Sequence, residues 1–265
     1  MLKLFTFVPN RADLIDVQMR CLQKYLGEEF ILTVFNNASL GYDRRRDNKK
    51  EKIEIDGTCA RLGINVIEIQ KEQELVDFCQ TTEKSCTIFD RAGFYSNGNV
   101  AHAYALCWAW KHVISKEIGP VCILDFDMFL KEPIKLTDYL VMADALFVGQ
   151  SKPGMNDKKY AWPGFVLMDL PKFPNPETLN WMCGQVDGAS VDVGGQTCRY
   201  FESHPEIRLV NLGLNNFPDD SHVDYQILHL GDKELLHYRG GSNWEDKTPE
   251  FHQKKTEWLK KELGI

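Results

Sequence analysis

Two aspartates separated by one residue follow a short apolar run near the middle of the chain, in GPVCILDFDMFLKEPI from Gly119 to Ile134. Val121 to Leu124, bounded by Gly119-Pro120 and then by charge, reads as a buried strand of parallel type. Strand alternation puts Asp125 and Asp127 on one side and Phe126 on the other. Carboxylates this close repel unless a cation, a shared proton or solvent relieves them. Convergence on one divalent cation, free or phosphate-bound, is therefore the chemistry this spacing points to. An acidic surface turn is the plain alternative, and it leaves unexplained why Met128 and Phe129 return to apolar character at once.

A second stretch complements the first. In LLHYRGGSNW, from Leu235 to Trp244, His237 and Arg239 share one face if the backbone is extended, and Gly240-Gly241 frees the backbone after them. Imidazole ligates metals and guanidinium pairs with phosphate oxygens. A histidine in a late strand is by itself more often structural, so this reading draws its force from the aspartate pair. Further acids stand at Asp187 and Asp192, the latter ahead of Gly194-Gly195 and placed to cap a helix from Gln196 through Phe201. Trp162-Pro163-Gly164 opens an apolar strand, Tyr160 to Leu170, where Gly164 permits close approach to the backbone. Tyr95 to Asn99 leads into a helix from Val100 to Ile114 whose small-sided start, Ala101-His102-Ala103, would let N–H groups approach phosphates. Core packing explains those small residues nearly as well.

The elements that must position these residues follow from periodicity. Leu2 to Val8 is a strand, Ala12 to Leu26 a helix and Phe30 to Phe35 a strand, which together open a parallel sheet with right-handed crossover. The segments Thr6 to Arg11 and Asn36 to Ser39 then lie side by side above the sheet. Downstream come helices at Glu51 to Leu62 and Glu72 to Phe78, a strand at Asn65 to Ile69, and a loop at Phe89 to Asn99. Pro133 to Val141 is a strand or short helix, Asp144 to Gly149 and Ile207 to Leu212 are strands, and Ser151 to Lys159 is a polar loop. Glu177 to Met182 is a short helix, Val223 to Leu230 a strand or lid, and Phe251 to Leu263 an amphipathic helix burying Trp258 and Leu259.

At 265 residues and 43% hydrophobic, the chain suits one large α/β domain, and no linker or repeat divides it. A formal net charge of -7 opposes a nucleic-acid partner, and the basic run Arg44 to Lys52 contains acids and no aromatics, as a solvated segment would. Eight scattered cysteines without a CxxC pair fit a reducing compartment. The apolar amino terminus is too short for a signal peptide, and no stretch reaches transmembrane length. A soluble cytoplasmic protein of bacterial or viral style is expected, with the Asn37-Ala38-Ser39 sequon unused.

From Leu2 to Trp244 the chain resembles nucleotide-sugar-dependent glycosyltransferases of the GT-A fold. The resemblance is sharpest in the strand-terminal D-x-D, Asp125 to Asp127, followed by Met128-Phe129-Leu130 and Pro133, with Ser96-Asn97-Gly98 before it and His237 long after. It implies an α/β, Rossmann-like single domain with a central, mostly parallel sheet flanked by helices. Residues 1–130 would form the nucleotide-binding part, 131–248 the sugar and acceptor part, and 249–265 a terminal helix. By the same resemblance Asp125, Asp127 and His237 ligate Mn²⁺ or Mg²⁺, with Asp125 also reaching the ribose. Arg239, Gly240 and Gly241 hold the diphosphate. Thr6, Asn10, Arg11, Asn36, Asn37, Asn97 and Gly98 lie toward the nucleotide, and Trp162 and Gly164 border the sugar and acceptor. Asp192, then Asp187, are the candidate catalytic bases. Asn36-Asn37 stand where many relatives carry an acid, so the resemblance does not name the nucleotide. The implied partners are a nucleoside-diphosphate sugar donor and a glycan or small hydroxyl acceptor. Paired acids at a strand end also occur in metal-dependent phosphohydrolases and nucleotidyltransferases, and a non-catalytic sugar-binding domain is a third reading.

Overall fold

The computed structural model describes residues 1–38, 48–75, 77, 98–151, 155, 158–216, 225–241 and 248–265. It opens with β1 (Leu2–Val8), α1 (Ala12–Tyr25), β2 (Phe30–Asn36), α2 (Asn48–Leu62), β3 (Asn65–Glu68) and α3 (Gly98–His112). There follow β4 (Pro120–Leu124), β5 (Met128–Leu130), β6 (Ala145–Gln150), β7 (Tyr160–Asp169), β8 (Gly184–Val186), β9 (Ala189–Val191) and α4 (Thr197–Ser203). The last elements are β10 (Leu209–Leu212), β11 (Leu214–Asn216), β12 (Gln226–Leu230), β13 (Lys233–His237) and α5 (Pro249–Leu263).

Seven strands form the main sheet in the order β10-β6-β7-β4-β1-β2-β3. Only β7 runs against the rest. The chain first winds from β1 through β2 to β3, then returns to add β4 on the other side of β1. That reversal makes the carboxyl ends of β1 and β4 the topological switch point, where an open α/β sheet has its crevice. The expected mostly parallel α/β architecture is therefore present.

Both faces of the sheet are covered. Leu2, Leu4 and Val8 of β1 pack with α1, α2 and α5, whereas Phe5 and Phe7 pack with α3 and α4. The alternation along β1 thus feeds two separate cores. On α1, Leu14, Ile15, Val17, Cys21 and Leu22 form the buried stripe, with one polar residue, Gln18, in its centre. A second, antiparallel sheet, β11-β12-β13-β5, lies on the α1 side and has no counterpart among the sequence-based expectations. All six cysteines among the described residues are free and buried, and the Asn37 side chain is buried too. No described helix is long and apolar enough to cross a membrane.

Two expectations need correction. Asp125 to Asp127 is not strand: β4 ends at Leu124, and Met128 N–H donates to the Asp125 carbonyl (2.9 Å), closing a turn. Glu177 to Met182 forms no α-helix, only a 3-10 turn at Pro176–Thr178, because Asn180 turns its Oδ1 onto Met182 N–H (2.9 Å) and Trp181 and Met182 are drawn into the core. Pro133 to Val141, expected as a strand or short helix, takes the second form, a 3-10 helix at Leu136–Val141. The expected short helix Glu72 to Phe78 and the loops Phe89 to Asn99 and Ser151 to Lys159 lie wholly or partly outside the described residues.

The edge of the sheet is tied by one ion cluster. Asp144 accepts hydrogen bonds from Arg208 Nη2 (2.8 Å), Arg208 Nε (3.3 Å) and the Arg208 backbone N–H (2.9 Å), with Lys172 Nζ at 3.3 Å. The Arg208 hydrogen bonds hold the Asp144 carboxyl well below the ordinary range, against a smaller opposing effect of burial. A depressed carboxyl stabilises the fold above its unfolded pKa and loses that contribution as pH falls through the folded value. Asp144→Asn should therefore destabilise by about 1 to 3 kcal/mol at neutral pH. Urea unfolding should show this difference shrinking below about pH 4; a deficit unchanged by acid would contradict it.

Candidate active site

The acidic turn sits at the switch point, and its geometry is set by buried partners rather than by strand alternation. Asp125 N–H donates to the Gly164 carbonyl (3.0 Å). Gln18, the polar residue in the apolar stripe of α1, donates from Nε2 to the carbonyls of Asp125 (2.8 Å) and Met128 (3.1 Å). These bonds clamp both ends of the turn. Phe126 goes into the core, and the Asp125 and Asp127 carboxyls flanking it act on each other electrostatically.

Asp127 is buried and meets the second sheet. Its carbonyl accepts from Tyr238 N–H (2.8 Å) and its Oδ2 from Gly241 N–H (3.1 Å). A Cβ on residue 241 would stand 2.7 Å from Oδ2 and 2.8 Å from Asp127 Cβ, so only glycine allows this approach. Asp127 Oδ1 has no hydrogen-bond partner and lies 3.6 Å from His237 Nε2. His237 reaches this point because β13 pairs with β5, His237 opposite Met128.

The imidazole is oriented from behind. His237 Nδ1 is 3.0 Å from Gln226 Oε1, a contact that orients the ring and turns Nε2 toward Asp127 Oδ1. With Nδ1 donating to Gln226 Oε1, an oxygen and a nitrogen lone pair face each other, an arrangement that a proton or a cation between them relieves. Burial raises the Asp127 carboxyl, but His237, the Gly241 N–H and Lys255 together outweigh it, and the net direction is down. Burial, then the Asp127 charge, pushes the Asp125 carboxyl well above the ordinary range, against the hydrogen bond from Phe126 N–H. The pair thus differs in proton affinity because only Asp127 has His237, the Gly241 N–H and Lys255 about it.

Trp162 completes this wall. The pairing of β7 with β6 slips between Phe147 and Val148, so that Val148 pairs with Trp162 and Val166 with Phe147. The bulge leaves Pro163, Gly164 and Phe165 unpaired to β6 and turns the Trp162 indole edge-on to His237, ring centres 5.2 Å apart. A Cβ at Gly164 would collide with that indole, at 1.8 Å.

The stretch after His237 corrects the expected extended form. Arg239 has φ 47° and Gly240 φ 73°, a left-handed step that turns the chain instead of setting Arg239 beside His237. Lys255 of α5, itself buried, holds this step by donating from Nζ to the carbonyls of Tyr238 and Arg239. It also lies 4.0 Å from the Tyr238 ring centre. Sequence periodicity gives α5 no part in the site and so misses Lys255; Gln18 and Gln226 are missed too. Gln18 alone leaves a signal, as an amide inside an apolar helical stripe.

The other candidates are placed as follows. Thr6 lies within β1 opposite Val34, fully buried, its Oγ1 without a hydrogen-bond partner. Asn10 is buried just beyond the end of β1. Arg11 is buried under α5, bonded to both Asp13 oxygens (2.7 Å each) and to Thr256 Oγ1 (3.2 Å), and 5.4 Å from the Tyr238 ring centre. Asn36 binds α2 through the Lys52 carbonyl (3.2 Å) and Asp56 Oδ1 (2.9 Å), whereas Asn37 Oδ1 is buried and takes no hydrogen bond. Gly98 begins α3, and Asn97 lies outside the described residues.

Asp187 and Asp192 stand apart from the acidic turn: no hydrogen bond or ion pair among the described residues links them to Asp127 or His237. Asp187, at φ 52° in the β8-β9 turn, pairs with Lys158 (2.5 Å), which also holds Glu202 (2.7 Å). Asp192 accepts from Val193 N–H (2.7 Å) and is half-buried. It does not cap α4, whose N-cap is Gln196 with no side-chain bond.

Among the described residues no three His, Cys, Asp or Glu side chains gather closely enough to hold a metal ion unaided. Asp127 and His237, with Asp125 beside them, form a partial set. Such sets suit hard cations, which commonly take one or two carboxylates and complete their shell with water and substrate phosphate. The unbonded Oδ1, the oriented Nε2 and the glycine-lined approach fit that group.

No protein-family model and no curated protein matches the chain. Among solved structures, it is similar to the galactosyltransferase LgtC in complex with donor and acceptor sugar analogues, at 11% identity over 100% of this chain and 95% of that one, TM-score 0.47. An active-site mutant of LgtC matches at 14% identity over 78% of this chain and 65% of that one, TM-score 0.37. Mouse xyloside xylosyltransferase 1, apo form, matches at 15% identity over 80% and 84%, TM-score 0.42. With TM-scores below 0.5, these likenesses describe neighbours only, and the α/β architecture stands on the hydrogen-bonded sheet itself.

Proposed function

We propose that the chain is a metal-dependent glycosyltransferase that moves a monosaccharide from a nucleoside-diphosphate sugar to a hydroxyl acceptor. The observation that carries this reading is the buried Asp127, its Oδ1 unbonded and 3.6 Å from an oriented His237 Nε2, at the switch point of the sheet. Asp125, Asp127 and His237 would hold Mn²⁺ or Mg²⁺, the imidazole favouring Mn²⁺. Such a cation, when bound, neutralises charge on a departing diphosphate.

The chain's own groups do the rest. The Gly241 N–H, which bonds Asp127 Oδ2, stands beside the cation position, and Arg239 and the Gly240 backbone, on the left-handed step after His237, would reach phosphate oxygens. Trp162 shields His237 from water on one side and borders the sugar. Asn37, with an unengaged buried oxygen at the end of β2, is better placed to meet a nucleotide than Asn36, whose amide is taken by α2. An inverting course calls for a carboxylate to take the acceptor proton. Asp192 is the candidate, since Asp187 is held by Lys158.

The test is incubation of the protein with Mn²⁺ and a panel of nucleotide-sugars, with release of nucleoside diphosphate followed by mass spectrometry. Release from one or two members supports the reading. Release of inorganic phosphate from simple phosphate esters instead would contradict it. A finer prediction concerns the cradle: Gly241→Ala should weaken Mn²⁺ binding, measured by electron paramagnetic resonance, by about tenfold or more. Affinity equal to wild type would show that the Gly241 approach does not shape Asp127.

A further inference from the structure

His102 of α3 has no part in the site described so far. Its ring lies 5.7 Å from that of Phe7, near the end of β1 before the crevice. Phe5 pairs with Ile123, which sets the carboxyl end of β1 beside that of β4 at the switch point. The residue keeps a partly exposed edge, but its Nε2 is shut off from solvent and has no hydrogen-bond partner. A structural histidine in a core is normally satisfied through its buried nitrogen. The Asp127 carboxylate, whose own Oδ1 is also unbonded, pulls on the ring from the acidic turn. Two buried polar atoms on different elements, α3 and the acidic turn, are therefore both left without a partner among the described residues.

We propose that His102 is a donor-binding residue, its Nε2–H donating to an oxygen of the nucleotide-sugar held at Asp127. This rests on the glycosyltransferase reading and extends it to a residue of α3. The ring is neutral at physiological pH, because burial pulls it down to about 4 against the smaller pull of Asp127. A neutral imidazole donates one hydrogen bond without adding a charge that would compete with the cation. The oxygen belongs either to the diphosphate or to a sugar hydroxyl; both accept in the same way.

The experiment is calorimetric titration of wild type, His102→Gln, His102→Asn and His102→Phe with Mn²⁺ alone, with nucleoside diphosphates plus Mn²⁺, and with nucleotide-sugars plus Mn²⁺. The glutamine amide nitrogen reaches the place of Nε2, and the shorter asparagine does not. Phe and Asn should weaken binding about tenfold, the loss of one well-made hydrogen bond to a charged or polar oxygen. Gln should stay within about threefold of wild type, and Mn²⁺ alone should bind all four equally. Losses for the diphosphates as well as the sugars assign the oxygen to phosphate; losses for the sugars alone assign it to a hydroxyl. Equal affinity of wild type and His102→Asn overturns the inference and leaves the transferase reading intact. Loss of Mn²⁺ binding in the variants also overturns it, since His102 would then be a cation ligand. If wild type binds no nucleotide at all, both fall together. Should His102→Phe fail to fold, the Gln and Asn pair carries the comparison unaided.

Discussion

Asp127→Asn should lower nucleoside-diphosphate release from the donor sugar by about a thousandfold while leaving the fold in place. The substitution keeps the shape and keeps an oxygen for the Gly241 N–H, which lies 3.1 Å from Oδ2. What it removes is the charge that a cation needs. It also removes the favourable pull of His237 and Lys255 on the carboxylate, and with it the repulsion that adds to burial in raising the Asp125 carboxyl; the two effects oppose each other, so melting temperature should change little. Loss of activity with a little-changed melting temperature separates a functional carboxylate from a structural one. Activity within tenfold of wild type would show that Asp127 is a turn residue only.

Trp110→Ala should cost about 3 to 5 kcal/mol of stability, the usual range for emptying a large aromatic site. Trp110 is 1% exposed, its Nε1–H donates to the Pro176 carbonyl (2.6 Å), and its ring centre lies 5.4 Å from that of Trp181. The substitution therefore opens a cavity and also leaves the carbonyl without its donor. At this chain size the melting temperature should fall by about 10 °C. Trp110→Phe, which refills most of the volume, should recover a large part of the loss in urea unfolding. A cost below about 1 kcal/mol would place Trp110 outside the core.

Apolar periodicity in Leu2 to Val8, Ala12 to Leu26 and Phe30 to Phe35 is enough to read the β1-α1-β2 opening, because each element buries a continuous face. The acidic pair is visible by type and spacing. Its geometry is not, since strand alternation gives way to a turn closed by Met128 N–H and clamped by Gln18. The short strands β5 and β13 carry too little pattern to reveal a pairing across more than a hundred residues, yet that pairing is what brings His237 to Asp127.

Lys255 shows the same limit at longer range. A lysine in an amphipathic helix reads as solvated, and here it is buried against Tyr238, holding the backbone step that follows His237. Its role depends on where α5 docks, which periodicity does not state. The helix expected at Glu177 to Met182 is absent for a local reason, as the Asn180 side chain competes for a backbone N–H that a helix would need.

The most direct test of the cation-and-nucleotide site is calorimetric titration of wild-type protein with nucleoside diphosphates and nucleotide-sugars, each with and without Mn²⁺. Binding of one nucleotide class that is strong with Mn²⁺ and weak without it is the expected result. Binding that ignores Mn²⁺, or no binding by any member of the panel to folded protein, would contradict the assignment of Asp125, Asp127 and His237.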